Sequence, residues 1–398
     1  MKRPNPDSVP IKATLLLVSS LTVMAGATIA PSLPEMSEHF ANANVDNAAY
    51  LSKLALTIPA LFIALGGPFA GLLTDRIGRK PLLVGSTLLF ACAGSAGFLL
   101  NSLWAILFSR ILLGISVAGT MTGVLTIIGD YYQGQQRASF MGLQAAAMGM
   151  GGVVFICLGG IIANINWRMP FLLYAVAVVF MLLIVVNIFE PKLEKVARGG
   201  LGGGHQLKLP RQLLWGIYGT AVFYNMAYFL IPVQLPFYLK DLSNSSPAES
   251  GIAIAASTLA GAIASSRYGA VKQRMDYSSV VIVGLLLTAI GLMIVGAGGS
   301  YQIVLVGLIV AGFGFGLMMP NFSVWLVTVV PPPLRGRALG GLTTSLFLGQ
   351  FLSPIFAQPI ASFMGLDNTY ILTGILLLQA SVTFLVVKVS TSFIAEKI

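Results

Sequence analysis

Residues 71–83 read Gly-Leu-Leu-Thr-Asp-Arg-Ile-Gly-Arg-Lys-Pro-Leu-Leu, a charged turn punctuated by glycine and wedged between two long apolar runs. Only 9% of the 398 residues carry charge. Four charges in so short a stretch, Asp75, Arg76, Arg79 and Lys80, are therefore not filler. The flanking runs place the turn beside a membrane. With 56% hydrophobic residues and a mean hydropathy of +0.87, the chain falls outside soluble globular proteins, in which about 25% of residues are charged. Whole segments of 20 or more residues are uncharged, enough to cross roughly 30 Å of hydrocarbon at 1.5 Å per residue. A transmembrane β-barrel would show dyad alternation over strands of roughly 10 residues, and no such pattern is present. The sequence predicts an all-α polytopic membrane protein.

Turn and charge clusters divide the apolar sequence into twelve spans. They run over about 13–34, 48–73, 81–100, 102–129, 138–164 and 169–189, then 213–239, 249–270, 278–298, 301–330, 336–363 and 367–388. The first run follows Lys2, Arg3 and Lys12 but stays apolar to Leu33, longer than a signal-peptide core, so an uncleaved first helix is expected. Placing the N-terminus inside collects 19 of the 23 Lys and Arg residues on one face, as the positive-inside rule demands. Arg168 and Lys240 fall on the other face, Lys53 near its edge, and Arg110 within a span. Both termini are then cytoplasmic, in a plasma membrane or bacterial inner membrane. Segment 190–212 contains Gly199-Gly200-Leu201-Gly202-Gly203-Gly204 and five basic residues, the composition of a flexible cytoplasmic linker. It separates two six-span halves, 1–189 and 213–398. Arg137-Ala138 and Arg337-Ala338 each open the fifth span of their half, and Gly114 and Gly314 echo one another in the fourth, which points to duplication.

The formal net charge of +10 is explained by the loops of one face and does not imply nucleic acid. Cys92 and Cys157 both fall inside apolar runs, where packing is their expected role. There is no phosphate-binding G-x-x-x-x-G-K-[ST] loop and no His-Glu-x-x-His, and the two histidines, His39 and His205, lie in loops. The chain is expected to be no enzyme and to need no metal or cofactor.

The pattern G-x-L-x-D-R-x-G-R-K-x-x-L resembles the loop between the second and third helices of the major facilitator superfamily of secondary transporters, with Thr74 where a small apolar residue is usual. The resemblance implies twelve transmembrane helices in two pseudo-symmetric six-helix halves related by an axis along the membrane normal. It also implies a conformational latch made of Gly71, Asp75, Arg76, Gly78, Arg79, Lys80 and Asp130. Asp75 would cap the helix starting near Gly336, a favourable place for a carboxylate, and Arg79 would pair with Asp130. Gly71 would permit close helix approach and Gly78 a tight turn.

Arg110 lies about 8 residues inside the fourth span, roughly 12 Å deep. At the cost of a charge in hydrocarbon it is expected to face a wet cavity, and Arg110-Ile-Leu-Leu-Gly114 resembles a fourth-helix motif linked to proton or substrate handling. Its expected partner is a substrate anion or Glu35. Span five carries Gly149, Gly151, Gly152, Gly159 and Gly160, but Phe155 and Ile156 stand where the family's antiporter signature has Gly-Pro. Spans one, four, seven and ten line the cavity in this family. That implies Thr28, Ser116, Thr120, Tyr224, Asn225, Tyr228, Met319, Asn321, Phe322 and Trp325 as lining residues, with Gln144 and Gln350 added from the fifth spans.

The expected activity is secondary active transport by alternating access, as proton-coupled efflux of a small amphiphilic drug or metabolite. An alternative is export or uptake of an organic anion, such as a carboxylate metabolite or siderophore, with Arg110 as counter-charge. A membrane receptor or scaffold would need a sizeable loop domain. The expected partners are a small-molecule substrate, the lipid bilayer and protons, with the chain working as a monomer.

Overall fold

Long uncharged runs can bury their backbone polar groups in lipid only by closing every hydrogen bond internally, and helices result. The computed structural model describes residues 6–190 and 211–395, and among them the secondary structure is helical, without strands. Of the expected linker 190–212, only Glu190, Arg211 and Gln212 lie within the described residues; Lys2, Arg3, His205 and Lys397 lie outside them.

Spans 1 to 6 are Val9–Asn42, Ala48–Ile77, Arg79–Phe98, Leu103–Tyr131, Gly134–Ala163 and Met169–Asn187. Spans 7 to 10 are Arg211–Ser243, Pro247–Arg274, Tyr277–Ala297 and Tyr301–Val329. The last apolar stretch, Arg335–Ser390, breaks at Gly365, whose φ of 88° and ψ of 164° leave the helical region. It supplies spans 11 (335–364) and 12 (366–390), completing twelve. Proline sets several boundaries and bends. Pro247 opens span 8 behind a capping box in which Glu249 accepts from the Ser246 N–H at 2.7 Å. Span 1 breaks at a 3₁₀ turn over Ala30–Ser32, and span 7 breaks near Phe229, where a new helix starts at Leu230.

The packing repeats between halves. Span 2 packs on 4, 3 on 4 and 1 on 5; likewise 8 packs on 10, 9 on 10 and 7 on 11. The two halves then meet through span 2 with span 11 and span 5 with span 8. These seams are tight on the side far from the 71–83 turn. A Cβ on Gly160 would come within 2.8 Å of Pro247 O, Ala248 N–H donates to Asn164 Oδ1 at 3.1 Å, and Lys240 pairs with Glu38. On the turn side, a Cβ on Gly71, Gly269 or Gly336 would meet nothing within 4 Å. The halves close far from the turn and part beside it.

Candidate functional site

The turn is built by one glycine and one carboxylate. Gly78 adopts φ 97°, which ends span 2 and starts span 3 without a connecting loop. Span 3 has no cap from its own preceding side chain. Glu190 supplies it: Oε1 accepts from the Arg79 backbone N–H at 2.8 Å and Oε2 from that of Lys80 at 2.7 Å, a carboxylate at the positive end of a helix. A Cβ on Gly78 would meet Glu190 Oε1 at 2.9 Å. Arg79 Nε donates to Asp130 Oδ2 at 3.1 Å, and Lys80 Nζ donates to Val185 O at 2.8 Å. Tyr131 donates to Phe189 O at 2.6 Å with the two rings stacked at 4.5 Å. The ends of spans 2, 3, 4 and 6 are thereby tied into one knot. Thr74 is buried and donates to Ala70 O at 2.7 Å, so its hydroxyl is met within its own helix. Sequence reading missed Glu190, which sits at the edge of the linker and belongs to no short motif.

The expected reach of Asp75 across the molecule is not made here. Asp75 and Arg76 are exposed, and a Cβ on Gly336, at the helix start Asp75 was expected to cap, would meet nothing within 4 Å. Gly71 likewise has open space where close helix approach was expected. The reason is the separation of the halves on this side.

Arg110 also departs from expectation. It is 0% exposed and lies inside the first half. Nη2 donates to Gly94 O at 2.7 Å, and the guanidinium rests against Phe171 at 4.8 Å and Tyr174 at 5.1 Å from the ring centres. Its Nε and Nη1 have no partner. Two glycines make room for this cage, since a Cβ on Gly94 would strike Tyr174 and one on Gly97 would strike Phe171. Arg110 does not face a cavity, and Glu35 is not its partner; Glu35 lies half-buried at the far end of span 1, near the Glu38–Lys240 pair.

The cavity between the halves lies at the middle of the bundle, with a volume of about 260 Å³. Its wall is apolar: Met121 and Met148 from the first half face Phe229, Phe315 and Phe347 from the second. Tyr228 stacks on Phe315 with ring centres 3.7 Å apart. Thr22, Thr258 and Gln350 add hydrogen-bonding groups, and no charged residue lines it. A crevice of about 210 Å³ shares Thr22, Met121 and Met148 with it and adds Gln144, whose Nε2 donates to Ser19 Oγ at 3.0 Å. A chamber between two pseudo-symmetric six-helix bundles, closed at one end and parted at the other, is the geometry of a carrier.

The model of the Major Facilitator Superfamily matches residues 15–245 and again 217–393. The chain belongs to this superfamily of transporters. Among curated relatives it is similar to the Quinolone resistance protein NorA of Staphylococcus aureus (strain MSSA476), at 26% identity over 321 residues, covering 77% of this chain and 80% of that protein. It is similar also to a Multi-drug resistance efflux pump PmrA homolog of Lactococcus lactis subsp. lactis (strain IL1403), at 23% identity, covering 87% and 85%. Among solved structures, a D-xylose-proton symporter superposes with TM-score 0.80 at 17% identity over 94% of this chain and 96% of that one. A bacterial homolog to the human lysosomal transporter Spinster, in an inward-facing and occupied conformation, gives 0.75 at 19% over 99% and 98%. At those identities the likeness is one of fold.

Within the superfamily frame, Tyr228 and Gln350 line the central cavity and Gln144 the crevice beside it. Most of the other expected lining residues have their polar groups or rings engaged within their own half. Thr28 is buried and donates to Met24 O at 2.7 Å. Ser116 donates to Leu113 O at 2.6 Å and lies under a side groove between spans 2 and 3. Thr120 is buried without a hydroxyl partner. Tyr224 shares a hydrogen bond with Thr288 at 2.7 Å, and Asn225 donates to Leu346 O. Asn321 donates to Tyr277 O at 3.1 Å and accepts from Tyr268 at 3.0 Å. Phe322 is buried against Tyr224, Trp325 stacks on Tyr277 at 5.8 Å, and Met319 packs against the core. Hydroxyls and amides in lipid satisfy themselves on nearby carbonyls, so polarity alone does not mark the cavity face.

Proposed function

We propose that this chain is a proton-coupled exporter of small amphiphilic organic compounds, working as a monomer by alternating access. The observation that carries the reading is the central cavity, apolar and uncharged, with methionines and stacked aromatics that adapt to varied shapes. The names of the two relatives, a quinolone resistance protein and a multi-drug resistance efflux pump homolog, support efflux of drugs. The basic residues around the 71–83 turn argue that this side is cytoplasmic. The arrangement is then open to the cell interior, ready to take up cargo, and the turn knot is one half of a latch that engages when the halves come together there. The buried position of Arg110 weighs against the organic-anion alternative in which that residue is the counter-charge.

The test is uptake of a fluorescent lipophilic dye into inside-out vesicles containing the protein. Accumulation should follow an imposed acid-inside pH gradient and collapse with a protonophore. Dye movement indifferent to the gradient would remove proton coupling; no movement of any amphiphile tested would remove the efflux reading.

A further inference from the structure

The cavity stops on the far side, where spans 2, 7 and 11 close, and that seam is unexpectedly polar. Lys53 is only 3% exposed. Its Nζ donates across the seam to Gln358 Oε1 at 2.6 Å and lies 4.3 Å from the centre of the Phe237 ring. No ion pair reaches it among the described residues, and Asp241 acts on it only at a distance. Gln234 is fully buried, and neither its Nε2 nor its Oε1 has a partner; the hydroxyls of Ser52 and Ser353 are in the same state.

Helical register links these groups to the cavity. On span 7, Ile231 lines the cavity, Gln234 neighbours it three residues on, and Phe237 in turn neighbours Gln234 three residues beyond. At 1.5 Å per residue, Phe237 stands roughly 9 Å past the cavity wall. On span 11, Gln350 lines the cavity, with Ser353 one turn and Gln358 two turns farther along. On span 2, Pro59 lines it and Ser52 lies two turns beyond.

A buried ammonium with only neutral partners, and an amide with its donors and acceptor unused, both cost free energy. Apolar residues of similar size would seal this seam better. The groups are accounted for by the other half of the cycle, when the seam opens. We propose that Lys53, Gln234 and Gln358 form a second subsite on the far-side exit path, which binds the anionic group, a carboxylate or its like, of an amphiphilic substrate. This rests on the export reading above. It moves the positive counter-charge from Arg110 to Lys53.

The experiment is vesicle transport of a carboxylate-bearing xanthene dye and of its methyl ester, by the parent, Lys53→Gln, Lys53→Arg and Gln234→Leu. Loss of one charge-assisted hydrogen bond should slow the carboxylate dye about tenfold in Lys53→Gln. In Lys53→Gln the ester should move at the parent rate, Lys53→Arg should retain both activities, and Gln234→Leu, which also seals the seam, should slow the carboxylate dye more than the ester. Equal slowing of both dyes would overturn the subsite and make Lys53 a gate or coupling residue. No slowing of either would make it a packing residue. If the parent carries neither dye, the export reading falls and the subsite with it; if the parent carries both, the variants judge the subsite alone.

Discussion

Replacing Arg110 separates a structural guanidinium from one that handles substrate. Arg110→Ala removes a charge-assisted hydrogen bond to Gly94 O, made at 2.7 Å and worth about 1.5–3 kcal/mol. It also removes two aromatic contacts, each worth about 0.5–2 kcal/mol. Against these stands relief of burying Nε and Nη1 without partners, at about 1–3 kcal/mol each. The polar contributions nearly cancel, and the emptied space between spans 3, 4 and 6 decides the outcome, at about 2–4 kcal/mol for so large a truncation. Arg110→Met refills most of that space. Thermal unfolding in detergent should therefore show a clear loss for Ala and a small one for Met. Transport per folded molecule in vesicles should stay above about half of parent for Met, since nothing in the central cavity has changed. A Met variant as stable as the parent but transporting under a tenth as fast would refute this account and return Arg110 to the substrate or proton path.

Other perturbations test the remaining elements. Glu190→Ala should destabilise the first half by about 1 kcal/mol, the usual cost of a lost helix cap, and lower transport, with Glu190→Asp partly restoring both; unchanged melting would remove the cap from the knot. Asn164→Cys with Ala248→Cys, placed where their groups meet at 3.1 Å, should form a disulfide that halts transport until reduced; free turnover in the oxidised form would mean the far side need not open. Asp75→Asn should expand the population parted on the turn side, read as inter-half spin-label distances, while leaving melting unchanged because Asp75 is exposed in this state; unchanged distances would exclude a latch. In a Cys92→Ser, Cys157→Ser background, cysteines at Gln135 and Asn368, both exposed, should label from opposite faces of the cell membrane, Asn368 in intact cells; labelling of both from outside would overturn the proposed orientation.

The spans were readable because hydrophobic length is a one-dimensional property: all twelve segments correspond to helices in the structure, including the pair that meets at Gly365. The Arg79–Asp130 pairing, which the resemblance of the 71–83 turn to the family loop implied, is made in the structure. Which side of each helix faces the cavity was not. In a soluble helix, polar residues mark the wet face. Here the lipid side and the core side are both apolar, and residues such as Thr28 and Asn225 point their polar groups at backbone carbonyls inside their own half. The cavity is walled instead by Met121, Met148, Phe315 and Phe347, which nothing in a run of similar residues singles out. Lys53 looked like an edge charge in sequence because its depth depends on span 11 of the other half, 305 residues away along the chain.

Among the described residues, the polar contacts that join the two halves on the far side are few. Opening the far side gives up the exposed Glu38–Lys240 pair, worth about 1 kcal/mol at most. It also gives up the neutral Asn164–Ala248 hydrogen bond, of order 1 kcal/mol net, and the charged Lys53–Gln358 one, about 1.5–3 kcal/mol, while releasing a buried ammonium to water. If the proposed latch forms, closing the turn side would gain a carboxylate at a helix start, about 0.3–1 kcal/mol. The far-side polar contacts are thus of the order of the roughly 5.5 kcal/mol that carries a two-state equilibrium from 1:99 to 99:1. The Glu190 cap and the cage around Arg110 are bonds made wholly within the first half, so these bonds are kept in either state and hold that half rigid. To turn the carrier over, a substrate must therefore bind the two states with a difference in free energy of that order.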